Sequence, residues 1–148
     1  MSKAIRNTLS LLLGRRPPVL QVGAICRHVQ TREILLITSR GTGRWIIPKG
    51  WPMSGLSVAG AAAQEAWEEA GVRGTVSPRS VGRYGYDKWQ EQGFSIYIQV
   101  QVHLIEVERL EDDFPESEER TRQWFPVAKA AELVDEPGLK ELLLKLER

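Results

Sequence analysis

Three glutamates, Glu65, Glu68 and Glu69, stand at i, i+3 and i+4 of one short segment. On a helix that spacing brings three carboxylates onto one face within about one turn. Like charges so placed destabilise the helix, and its C-terminal end, where the macrodipole is negative, adds to the cost. No Lys or Arg lies between residues 50 and 72 to compensate. A divalent cation would relieve the crowding, and carboxylate oxygens suit Mg²⁺, Mn²⁺ or Ca²⁺ better than Zn²⁺. A solvated acidic face is the alternative for three such glutamates on an arbitrary helix. The Gly-rich approach that precedes them favours the ion, because Gly50 lets a backbone carbonyl come close to a bound metal.

The stretch from Gly50 to Val72 resembles the signature of the Nudix hydrolases. That signature is a glycine, five residues, a glutamate, seven residues, then Arg-Glu-aliphatic-any-Glu-Glu-any-Gly-aliphatic. Gly50, Glu65, Glu68, Glu69, Gly71 and Val72 fall at the required spacings, and Ala66 stands in for the aliphatic residue. Outside this box, Arg44-Trp45-Ile46-Ile47-Pro48, Val72-Arg73-Gly74 and Gln123-Trp124-Phe125 resemble the diphosphoinositol polyphosphate phosphohydrolase branch, close to the dinucleoside polyphosphate hydrolases. The likeness runs over about residues 20–135. Two positions depart from it. Leu56 replaces the early glutamate, and Gln64 replaces an arginine that in the family pairs with a glutamate and orients it. Glutamine donates a hydrogen bond but cannot form the bidentate charged pair.

The resemblance implies an α+β Nudix fold, a mixed β-sheet packed between helices as an α/β/α sandwich. It implies a Mg²⁺-dependent enzyme, with Mn²⁺ as the other candidate, that hydrolyses a diphosphate linkage in a small molecule. Gly50, Glu65, Glu68 and Glu69 would hold the metal, and Glu65 or Glu68 would act as the general base. A dinucleoside polyphosphate is the first expectation for the substrate, ahead of an inositol pyrophosphate. Members of the inositol branch begin their first strand with a basic cluster, where this chain has Val19-Leu20-Gln21. The alternative, suggested by Leu56 and Gln64, is a nucleotide-binding or regulatory domain with weak or no turnover.

Around the box, Arg40, Arg44 and Lys49 are candidates for neutralising substrate phosphates, and Trp51 for stacking on a base or covering the site. Trp45 and Trp67 read as core, and Cys26 as a reduced core thiol among apolar neighbours. Tyr97, Gln99, Gln101 and His103 share one strand face that reads as solvated, with lining a pocket as the alternative. The acids of residues 111–119 read as a solvated loop, although Glu116, Glu118 or Glu119 could reach the metal. His28 and His103 suggest no zinc pair.

The elements that must position these groups follow from periodicity. Leu20–Val29 and Glu33–Ser39 read as strands, Arg44–Ile47 as a short one, and Pro48–Gly55 as neither strand nor helix. A helix is expected over Ser57–Ala70, ended by Gly71. Ser80–Trp89 and Phe94–Val107 read as a hairpin, Gln123–Phe125 as a short strand, and Val127–Val134 and Gly138–Leu146 as helices. One domain, 18–148, is expected behind a basic arm, 1–17, which reads as a short, partly helical extension rather than a targeting segment.

Composition narrows the classes further. With one cysteine there is no disulfide framework, and no apolar run approaches the ~20 residues of a membrane span. Lys and Arg total 20 against 19 Asp and Glu, and four of those cations lie in residues 1–16. Such a balance offers no basic field for nucleic acid. A cytosolic compartment is the expectation; the oligomeric state is unreadable.

Overall fold

The structure, a computed structural model, describes residues 17–147, so the expected N-terminal arm lies outside the described residues. The strands are β1 (Val19–His28), β2 (Ile34–Thr38), β3 (Trp45–Ile46), β4 (Lys49–Gly50), β5 (Val72–Trp89), β6 (Ser95–Leu110) and β7 (Arg122–Phe125). The helices are α1 (Val58–Ala70), α2 (Val127–Leu133) and α3 (Pro137–Lys145). The sheet is mixed, in the order β3-β2-β1-β6-β5, with β4 on β1 and β7 on β2. Its parallel pair is β1 and β6, in register from Val19 opposite Ile98 to His28 opposite Val107.

Both faces of this sheet are apolar, so both must be covered. On one, Val22, Ala24, Cys26, Leu35 and Ile37 pack against Ala61, Ala62, Ala66 and Ala70 of α1. The alanines are what let α1 lie close to the sheet. On the other, Ile25, Leu36, Val100 and Val102 meet Ala130, Leu139, Leu142 and Leu143 of α2 and α3. The expected α/β/α layering is therefore present.

Helix α1 is bounded as its sequence suggests. The Ser57 hydroxyl accepts from the Gly60 N–H, and Gly71 ends the helix at φ 68°, a left-handed cap that glycine adopts without strain. Three expectations need correction. Residues 49 and 50, expected to be irregular, pair with Val22 and Gly23 of β1, and the Ala24 N–H reaches the Pro48 carbonyl at 3.0 Å. Strand β5 begins at Val72, not Ser80, because register shifts at Arg73/Gly74, Val76/Ser80 and Ser80/Gly82 absorb Gly74 and Pro78 without ending the ladder. Its partner β6 accordingly runs on to Leu110.

Candidate active site

The turn from β4 into α1, the β5–β6 hairpin, the acidic loop and the start of α3 enclose a cavity of about 1050 Å³. Arg40, Arg44, Lys49, Gly50, Trp51, Glu65 and Glu69 all line it; Glu68 does not. One wall carries the carboxylates of α1. A Cβ at Gly50 would collide with the Glu65 carboxylate, so the missing side chain is the space that carboxylate occupies. Glu69 is 4% exposed and accepts from the Lys49 backbone N–H at 3.3 Å. Burial pushes its carboxyl up to about 8; the Glu65 carboxylate beside it adds to the rise, and the Arg120 guanidinium opposes it. Burial also raises the neighbouring Glu65 carboxyl, and the Glu68 and Glu116 carboxylates add to that rise.

Arg120 is the cation that the spacing of the glutamates did not foretell. Its side chain is 8% exposed and lies 3.2 Å from Glu69 Oε1 and 3.1 Å from Glu116 Oε1. It also donates to the Thr38 carbonyl at 3.0 Å, which ties it to the end of β2. Gln64, by contrast, makes no side-chain hydrogen bond among the described residues. A positive charge on Glu69 thus comes from the segment that precedes β7 and not from position 64.

Glu116 lines the cavity, so the acidic loop is not merely solvated. The cause is Phe114, which is buried and carries the loop inward, while Arg40 lies 3.6 Å from both Glu116 and Glu119. Arg44 is held by Asp135 at 3.2 Å and Glu136 at 3.4 Å. The Lys49 ammonium sits 5.5 Å from the Tyr86 ring centroid, and burial lowers its pKa against the pull of Glu69 and Glu136.

The cavity also has an aromatic wall: Tyr86, Trp89 and Tyr97 line it from the hairpin, and Trp51 lines it from the turn after β4. Trp89 is 73% and Trp51 53% exposed. Tyr97 lies across Gly85, where any Cβ would strike its hydroxyl. Only glycine at 85 allows that ring to lie flat.

Two side chains depart from their expected environments. Trp67 is half-buried beneath the Arg73 guanidinium, 3.6 Å from its ring centroid, and is not in the core. His103 is buried, with Nδ1 2.8 Å from the Ser77 carbonyl, because the bulged part of β5 folds over it. Trp45 does pack against the core, edge-on to Phe125 at 5.0 Å. Cys26 is buried as expected, its thiol pushed up to about 12 by burial.

The NUDIX domain profile matches residues 17–146 of the chain. The chain belongs to the Nudix family. Relatives of this Nudix chain include human diphosphoinositol polyphosphate phosphohydrolase 3-beta, 33% identical over 126 residues that make up 82% of the chain and 73% of the relative. Nudix hydrolase 16, mitochondrial, of Arabidopsis thaliana is 30% identical over 119 residues, 76% of the chain; the chain spans 64% of that protein's length. The solved Ap4A hydrolase of C. elegans superposes with a TM-score of 0.60 at 20% identity, over 88% of this chain and 97% of that one. Family membership makes the chain a hydrolase of pyrophosphate bonds, and the two named relatives are called a Nudix hydrolase and a phosphohydrolase. Among the described residues, no helix is long and apolar enough to cross a membrane.

Proposed function

We propose that the chain hydrolyses the phosphoric anhydride of a nucleoside diphosphate-type substrate, a dinucleoside polyphosphate before an inositol pyrophosphate, with Mg²⁺ or Mn²⁺. The observation that carries the reading is the division of one cavity into a carboxylate wall at Glu65 and Glu69 and an aromatic wall at Tyr86, Trp89 and Tyr97. Polyphosphate and planar base need those two surfaces side by side.

The donor set fits a hard cation. Its oxygens come from Glu65, against the Gly50 backbone, and from Glu69, which accepts from the Lys49 N–H, with Glu68 next along the helix. No group of three such side chains is gathered among the described residues, so Glu68 completes the set only by turning toward the cavity. When bound, the ion polarises a phosphoryl oxygen and makes its water more acidic. The chain's own groups do the remainder. Lys49 and Arg44 offset phosphate charge, with Arg40 at the rim. Glu65, which lines the cavity while Glu68 does not, is the better placed carboxylate to accept the proton of the attacking water. As the water oxygen bonds to phosphorus, the bridging P–O bond breaks and two phosphate esters leave.

Product release from a panel of diphosphates, with and without Mg²⁺, tests the reading. Metal-dependent cleavage of a dinucleoside polyphosphate supports it. Faster cleavage of an inositol pyrophosphate overturns the substrate, and binding of nucleotides with no cleavage of any compound would favour a regulatory domain.

A further inference from the structure

Glu136 is the residue immediately before α3, and its side chain caps nothing there. Its carboxylate is nearly buried and lines the cavity. One oxygen, Oε1, meets Arg44 at a loose 3.4 Å. The other, Oε2, is a buried side-chain oxygen with no hydrogen-bond partner, the one such atom among the described residues. An orphaned acceptor of this kind costs free energy, more so for a charged group, and marks a place where a partner is missing.

The position is built rather than incidental. Gly138 presses α3 onto β5, leaving no room for a Cβ beside Tyr84, and so sets Glu136 next to the tyrosines of that strand. The adjoining helix N-terminus and Arg44 make a buried anion tolerable there. Tyr86, whose hydroxyl donates to Gln21 at 3.0 Å, continues the aromatic wall toward Trp89 and Tyr97. Tyr86 already has its acceptor, so it does not satisfy Glu136.

We infer that Glu136 is the acceptor for an N–H donor on a heteroaromatic base lying along that aromatic wall. The inference rests on the nucleoside reading of the cavity and adds how the base is read. A saturated polyol ring could donate hydroxyls to the carboxylate but would gain little from the flat aromatic surface. A base with an amino or ring N–H group uses both. The carboxyl group needs only a turn about its terminal torsion, which is broad, to present an oxygen.

The test is equilibrium binding without metal, so that no hydrolysis is required. The probes are adenosine, guanosine and cytidine 5′-monophosphates, purine riboside 5′-monophosphate, which lacks the amino group, and ribose 5-phosphate. At least one amino-bearing nucleotide should bind wild type about tenfold or more tightly than ribose 5-phosphate, since a hydrogen bond to a charged group is stronger than one between neutral groups. Glu136→Gln should cut the preference for that nucleotide over ribose 5-phosphate about tenfold. In wild type, if adenosine monophosphate is a preferred ligand, purine riboside monophosphate should lose a similar factor; this arm stands even if the variant fails to fold. Equal binding of all probes to wild type, or an undiminished base preference in a folded Glu136→Gln protein, overturns the inference. Base-dependent binding without Mg²⁺-dependent cleavage would refute the hydrolase reading and leave this one standing.

Discussion

The two walls of the cavity solve opposite problems. The carboxylate wall is closed: Glu69 is buried, Arg120 bridges it to Glu116, and Gly50 is the only residue type that leaves Glu65 its space. The aromatic wall is open, with Trp89 and Trp51 largely in solvent and Tyr97 laid over Gly85. Charges that must act together are crowded at a cost in stability, whereas stacking surfaces need only be accessible. Substitutions on the first wall should therefore trade stability against turnover; those on the second should change affinity.

Glu69→Gln should have the largest effect on activity, a fall in kcat on the order of 10²-fold or more, by steady-state kinetics. Without metal the same change should stabilise the protein as pH rises. Glu69 has a folded pKa raised to about 8 from 4.5, so its contribution is fully present below 4.5 and is lost as pH climbs toward 8. The wild type should lose stability over that window, and Glu69→Gln should flatten the slope in pH-dependent melting curves. A slope unchanged by the substitution would place the titration elsewhere.

Arg120→Ala should cost about 3 kcal/mol in urea denaturation, since it leaves Glu69 and Glu116 facing each other with their shared cation gone. A loss well under 1 kcal/mol would mean the bridge is an ordinary surface pair. Gly50→Ala separates the two quantities. The clash is with the far end of a flexible side chain, so stability should change little while kcat falls about tenfold, equivalent to ~1.4 kcal/mol of misplacement. Equal losses in both would show that the loop itself has been displaced.

Gln64→Arg should have the smallest effect. A charge-assisted contact beside Glu65 and Glu68 should raise kcat several-fold with little change in KM. Unchanged or lower kcat would show that Arg120 already supplies the orientation a box arginine gives.

Much of the carboxylate wall was legible in the linear pattern. The spacing of Glu65, Glu68 and Glu69, the Ser57 cap and the Gly71 terminus are local features, fixed within one helix. The layering was legible too, because alternation along β6 and the alanines of α1 mark opposite sides of the sheet. Arg120, Glu116 and Glu136 were harder to see as a set. Each reaches the cavity through long-range packing: Arg120 by the tie to Thr38, Glu116 by the burial of Phe114, Glu136 by Gly138 against Tyr84. The early part of β5 was hidden for a related reason, since bulges at Gly74 and around Pro78 break the period-two pattern while the pairing continues.

Whether the closed wall holds a divalent cation is the central question for this cavity. The deciding measurement is the shift in Tm on adding saturating Mg²⁺ to wild type and to Glu69→Gln at pH 8. A ligand that binds only the folded state at 100 times its Kd adds about 2.7 kcal/mol of stability. Wild type should therefore melt several degrees higher with Mg²⁺, and Glu69→Gln should shift much less. Equal shifts in the two proteins, or none in wild type, would contradict a metal site at Glu69.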